Sequence, residues 1–357
     1  MATQVAALPV TAAGDPAATG ARRMSNPPLL CNLFARQQGL DPIGYAGTLD
    51  TIVAFELPLP WPRGVFESSG RLPAGVHEAI DRFSREGAYR LRPLIIGPDP
   101  DYSVPGQRRV LWLERPDGPF SEYRRTEYLV PDAFLGELVA TLIRGRREAP
   151  GFDHYRVPAT GRDFLVCTHG AQDTACGRFG VPLYRRLRAQ VHGSANRAWR
   201  VTHFGGHVFA PTLLELPSAR MWAYLEHDDA AALVNRSGRP GELRGNYRGW
   251  AALEGPFLQA LERELLTRQG WEWLDIPKTA EVLEQDAADD PQWAEVRLDA
   301  WRASKPSSFH ARVEISHSLP IRPRSDSPEL KPYPQYRVTL HKPAPVGQAR
   351  LDAEAAA

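Results

Sequence analysis

DFLVCTHG, residues 163–170, followed by VPLYRRLRAQV, residues 181–191, decides the reading of this chain. The first stretch is an apolar run that reads as a strand ending at Cys167. The second reads as a helix, with Pro182 tolerated in its first turn. Downstream, AWRVTHFGG (198–206), PTLLELP (211–217) and RMWAYLE (220–226) have strand character. Asp228 or Asp229 is placed to cap the helix AAALVNR (230–236). A further helix, GPFLQALERELLTRQG (255–270), keeps Phe257, Leu261 and Leu265 on one stripe.

Upstream the same rhythm recurs. TIVAFELP (51–58) is a β-branched apolar run, and GVHEAIDRFSREG (75–87) sets Val76, Ile80 and Phe83 on one helical side. LRPLIIG (91–97), RRVLWLER (108–115) and EYRRTEYLV (122–130) read as strands, and Asp132 begins a second helical run through AFLGELVATLIRG (133–145). Each half thus reads β-α-β-β-β-α, an order that a thioredoxin-like core uses. The expected fold is α/β, with a thioredoxin-like domain at 28–150 and another at 160–275, joined near RREAPGFDHYRVPATG (146–161). Past residue 276 the chain turns acidic and then Pro-rich, and HARVEISHSLPIRPRSDSPELKPYPQYRVTLHKP (310–343) suggests two strands split by a loop. Residues 276–345 are read as a small β appendage, and 1–27 and 346–357 as loose tails.

Composition narrows the function classes. In 357 residues the formal net charge is +1, which argues against an electrostatic grip on nucleic acid or acidic membranes. No apolar run approaches a membrane span, and the first 28 residues, rich in Ala, Thr and Pro, lack the continuous apolar core of a signal peptide. Three cysteines do not make a disulfide scaffold; they point to a reducing, cytoplasmic setting with metal or redox use. No Gly-rich dinucleotide loop stands at a strand–helix junction, and no hydrolytic triad or carboxylate pair stands out.

Four residues carry the chemistry. Cys167 and Cys176 enclose eight residues, and VTHFGGHVFA (201–210) brings His203 and His207 with Phe-Gly-Gly between them. Two interior glycines would cost a helix roughly 2 kcal/mol, so these histidines belong on a loop. A zinc finger places its cysteines closer and its histidines on a helix, although a structural zinc site of another shape stays open. A thiol–disulfide enzyme would show Cys-x-x-Cys at a helix start, and this chain has none. A 2Fe–2S cluster needs four ligands converging from two segments, which these loops supply. Glycines 170, 177, 205 and 206 would let backbone N–H groups approach its sulfides.

The Cys-x8-Cys pair with its THG and CG neighbours, then HFGGH-x-FA, LLELP and NYRGW (246–250), resembles the sucrase/ferredoxin-like family, which includes the yeast Apd1-type proteins. The resemblance runs well over about 160–270 and more loosely through CNLFARQQGLDPIGYAGT (31–48). It implies a thioredoxin-like ferredoxin whose Cys167, Cys176, His203 and His207 bind a bis-histidinyl, non-Rieske 2Fe–2S cluster. Family members usually continue the first N-terminal cysteine as Cys-Ser, whereas Asn32 follows Cys31 here, so no role is carried over to Cys31. An oxidised core of charge about +2 with two thiolates and two neutral imidazoles would be near neutral, and about −1 when reduced. Its potential should therefore lie above that of plant-type ferredoxins, and the free imidazole N–H groups should couple electron to proton.

The remaining readings are plainer. Cys31 is expected in the core, His169 in a supporting or loop-capping role, and Trp199, Phe204 and Phe209 against the cluster. Trp271, Trp273, Trp293 and Trp301 read as core or interdomain packing. Arg178, Arg185, Arg186 and Arg188 would form a solvated helix face or dock an acidic partner. The N-terminal half carries no corresponding ligands, so one cluster per chain is expected. Without a nicotinamide or flavin site, electrons must come from a redox partner protein, a reductase or acceptor. The expected function is one-electron transfer. The alternatives are a redox or iron sensor and a structural zinc protein.

Overall fold

The six consecutive buried residues Thr51–Glu56 form a central strand, β1, in a computed structural model that describes residues 29–67, 70–86, 89–145, 149–302 and 306–341. The tails read at 1–27 and 346–357 lie outside the described residues. Ahead of β1 stands a short helix, α1 (Cys31–Gln37). After it come α2 (Val76–Glu86), β2 (Leu91–Ile96), β3 (Gln107–Glu114), β4 (Arg124–Pro131), α3 (Leu135–Arg144) and the short β5 (Arg156–Val157). β1 pairs parallel with β2 and antiparallel with β3, and β4 returns along β3.

The second half runs β6 (Asp163–Cys167), α4 (Thr174–Val191), β7 (Arg197–Val201), β8 (Thr212–Leu216), β9 (Arg220–Ala223), α5 (His227–Asn235), β10 (Tyr247–Trp250) and α6 (Gly255–Gln269). Its pairings follow the same pattern: β6 is parallel to β7 and antiparallel to β8, and β9 returns along β8. The two sets of strands meet where β2 and β7 touch at Ile96 and Val201, giving one ten-stranded sheet.

Strand alternation assigns the faces. Ile52, Ala54, Leu94, Leu111 and Leu113 join the core that contains Phe164, Val166 and Cys167, whereas Val53, Phe55, Ile95, Val110 and Trp112 face the core completed by α2 and α3. A separate antiparallel sheet follows, made of β11 (Lys278–Gln285), β12 (Trp293–Ala300), β13 (Ser307–Ile321) and β14 (Lys331–Leu340). Its inward residues Ala294, Val296, Leu298 and Val313 belong to the first core, with Leu261 and Leu265 of α6. Trp273 is fully buried in it, and Trp271 packs at its margin.

Two local expectations change. α4 starts at Thr174, seven residues before the stretch that announced it, because Asp173 caps it by accepting the Ala175 N–H. Pro182 therefore sits inside the helix rather than in its first turn. α5 starts at His227, with Glu226 as the cap residue; Asp229 reaches back to the Glu226 N–H instead of capping alone. No helix among the described residues is long and apolar enough to cross a membrane.

Candidate metal centre

The carboxyl ends of β6 and β7 lie side by side, Cys167 opposite Val201, and Thr168 N–H bonds Val201 O at 3.1 Å. Loops leaving two adjacent parallel strands at the same end converge by construction. The first loop carries Cys167 into the start of α4, where Cys176 occupies the first turn. The second carries His203, Gly205, Gly206 and His207.

The Sγ atoms of Cys167 and Cys176 lie 3.7 and 3.6 Å from His203 Nδ1, and the three atoms fall within 4.8 Å of one another, a group able to hold a metal ion. Among the described residues no second such group occurs. All cysteines are free thiols. The coupled thiols titrate apart: burial opposes ionisation of Cys167, but hydrogen bonds from Cys176 and His203 and the nearby His203 charge hold it well below the thiol range. Cys176 moves up, because it keeps the proton that it donates to the Cys167 sulfur and because it is buried.

His207 stands beside this group. Its ring centroid is 5.1 Å from that of His203, and its buried Nδ1, without a hydrogen bond, lies 3.4 Å from Asp173 Oδ2. Burial, with the His203 charge next, lowers its pKa to about 4, so the ring is neutral at neutral pH, the form that ligates metals. The structure thus draws three of the four expected residues into contact and leaves the fourth one ring away, facing a carboxylate.

Gly205 and Gly206 have φ of +99° and +75°, a region that favours glycine. A side chain on Gly206 would also strike the Arg248 guanidinium, its Cβ 2.5 Å from Nη2. Arg248 donates to Gly205 O at 3.0 Å and so fixes the histidine loop. A Cβ on Gly177 would sit 2.9 Å from the Gly170 Cα, so these two glycines let α4 close onto the Cys167 loop.

His169 is a strut. Its Nε2 bonds the carbonyls of Trp61 and Pro62 at 3.2 and 3.0 Å, and its Nδ1 faces the His203 N–H at 3.4 Å. Cys31 is buried, its thiol pushed up to about 12 by burial, and its Sγ lies 3.2 Å from Ser325 Oγ. Ser325, from the loop between β13 and β14, also donates through Oγ and N to the two Asp173 oxygens at 2.7 and 3.0 Å. The C-terminal hairpin therefore braces the centre. Trp199 and Phe204 share the cysteines' core, whereas Phe209 lies in the neighbouring core with Cys31 and Ala175.

Of the four arginines of α4, Arg188 turns to Asp99 and Asp101 at 2.6 and 2.9 Å, while Arg178, Arg185 and Arg186 are exposed. Arg248, Asp173 and Ser325 had no assigned role in the sequence. Asp173 carries a local signal, an Asp just ahead of a helix; Ser325 reaches the site only through tertiary folding.

Fold and site define an α/β protein with a buried thiol–imidazole centre. Residues 42–249, more than half of the chain, match the sucrase/ferredoxin-like family, and the protein belongs to that family. It is also 30% identical over 95 residues to Altered inheritance of mitochondria protein 32 of Meyerozyma guilliermondii, a match covering 24% of this chain and 33% of that protein. No solved structure matches.

Proposed function

We propose that Cys167, Cys176, His203 and His207 hold a 2Fe–2S cluster and that the protein is a thioredoxin-like ferredoxin carrying single electrons. One observation supports this above others: two free, buried thiols and an imidazole meet within 4.8 Å at the ends of adjacent parallel strands, with a second, neutral imidazole behind them. Once bound, the cluster would supply a reversible one-electron couple.

The chain's own residues set the terms. Cys167 and Cys176 are 1% exposed, whereas the two histidines are half-buried, so the imidazoles form the edge that a redox partner protein, reductase or acceptor, would approach. Their second ring nitrogens would exchange a proton when the electron arrives. The N-terminal half has the same strand order, but Glu56 ends its β1 and Asp99 follows its β2 where the ligand loops would begin; we read it as a ligand-free thioredoxin-like domain. A reducing compartment such as the cytoplasm suits three free thiols.

Anaerobic purification should give a red-brown protein with about two irons and two inorganic sulfides per chain, bleached by dithionite and re-oxidised in single turnovers with a reductase and acceptor. A colourless protein carrying zinc would refute the reading.

A further inference from the structure

The described residues include three buried arginines, Arg220, Arg248 and Arg263. Arg220 faces Glu262 at 3.6 Å and Arg263 faces Asp41 at 2.5 Å. Arg248 has no carboxylate partner among the described residues. Nη1 bonds Gly205 O, Nε is buried without a hydrogen bond, and the guanidinium lies 5.2 Å from the Phe209 ring centroid. Its neighbour Arg92 repels it, and Arg92 Nε is likewise buried and unpartnered. The sulfur of Cys167 favours its charge, whereas burial keeps the nearby phenols of Tyr224 and Tyr333 protonated. Unpaired buried charge is expensive, and a protein keeps it where a counter-charge is to be met.

We propose that Arg248 is a positioning residue that anchors the His203–His207 loop through Gly205 and also supplies the fixed positive charge that favours the reduced cluster. This rests on the cluster reading above. Two thiolates and two neutral imidazoles leave an oxidised core near neutral, and one added electron makes it about −1. A cation held in place in a poorly solvated site stabilises only the second state, and it does so without reorganising. Arg92 adds to the same field and, among the described residues, makes no hydrogen bond to either ligand loop. The glycine at 206 gains a second reason: any side chain there would push this charge off the loop.

The test is a potentiometric titration, followed by visible absorption and EPR, of wild type, Arg248→Lys, Arg248→Gln and Arg92→Gln at one pH. Arg248→Gln should lower the reduced-to-oxidised ratio at a fixed poise about tenfold, a shift of ~59 mV for one electron. Arg248→Lys should stay within about threefold of wild type, and Arg92→Gln should move in the same direction as Arg248→Gln. An unshifted Arg248→Gln, or equal shifts in Arg248→Gln and Arg248→Lys, would overturn the charge role. If Arg248→Gln takes up no cluster, Arg92→Gln decides: a negative shift supports the field and a wild-type potential overturns it. Wild type without iron and sulfide would instead locate the failure in the cluster reading.

Discussion

At the scale of single residues the proposed centre rests on four side chains and on what holds them. Changing Cys167 or Cys176 to Ser, or His203 or His207 to Ala, should abolish or recolour the visible spectrum. Changing His169 to Gln should leave its band positions in place, because that ring bonds carbonyls rather than facing the sulfurs. Gly206→Ala should cost about 1–2 kcal/mol from its positive φ alone and more from the Arg248 contact, seen as a lower denaturation midpoint. The potential should become more negative as pH rises, since a reduced cluster raises the pKa of imidazole N–H groups and so takes up protons; a flat profile between about pH 6 and 10 would count against this. The spacing of cysteines and histidines was legible because each pair is local in sequence. Arg248 and Ser325 were not, because what gives them meaning is contact with segments 43 and 152 residues away; Asp173 has a local signal as a cap, but its place beside His207, 34 residues on, has none.

Among the elements, α4 matters most. It packs on β6 so closely that a Cβ on Gly180 would sit 1.9 Å from the Cys167 carbonyl oxygen. Gly180→Ala should therefore cost about 3 kcal/mol or more and displace Cys167, measured by urea unfolding of the cluster-free protein. The strands of both halves could be read from runs such as TIVAFE and DFLVC, where β-branched and aromatic residues concentrate. The start of α4 escaped because GAQDTACG looks like a turn until Asp173 is seen capping it. β11 and β12 were masked by their acidic composition. Yet β12 alternates strictly, with Ala294, Val296, Leu298 and Ala300 buried between charged or polar neighbours.

Over the whole molecule, a buried ionic network ties the N-terminal strands to those that lead into the cysteine and histidine loops. Arg197 on β7 bonds Asp163 on β6 at 2.7 Å and Glu127 on β4 at 2.8 Å; Arg125 meets Asp163 at 2.8 Å, and Arg109 meets Glu127. Arg197→Met would leave Asp163 with Arg125 and Glu127 with Arg109 as their remaining arginine partners and should cost about 2–3 kcal/mol. Burial would raise Glu127, but Arg197 holds it below the usual carboxylate range. Its folded pKa lies under the unfolded one, so its contribution is present above pH ~4.3 and is lost as pH falls toward the folded value. Arg197→Met should therefore unfold in acid at a higher pH than wild type. The repeated β-α-β-β-β-α order was visible in the chain; the joining of its two sheets at Ile96 and Val201, a single pair, left no signature there. The most direct test of the account is pulsed EPR of the reduced protein grown with nitrogen-15 histidine. Strong hyperfine couplings from two imidazole nitrogens, with one lost in His203→Ala and the other in His207→Ala, are predicted. A reduced 2Fe–2S signal showing no histidine nitrogen, or no such signal at all, would contradict it.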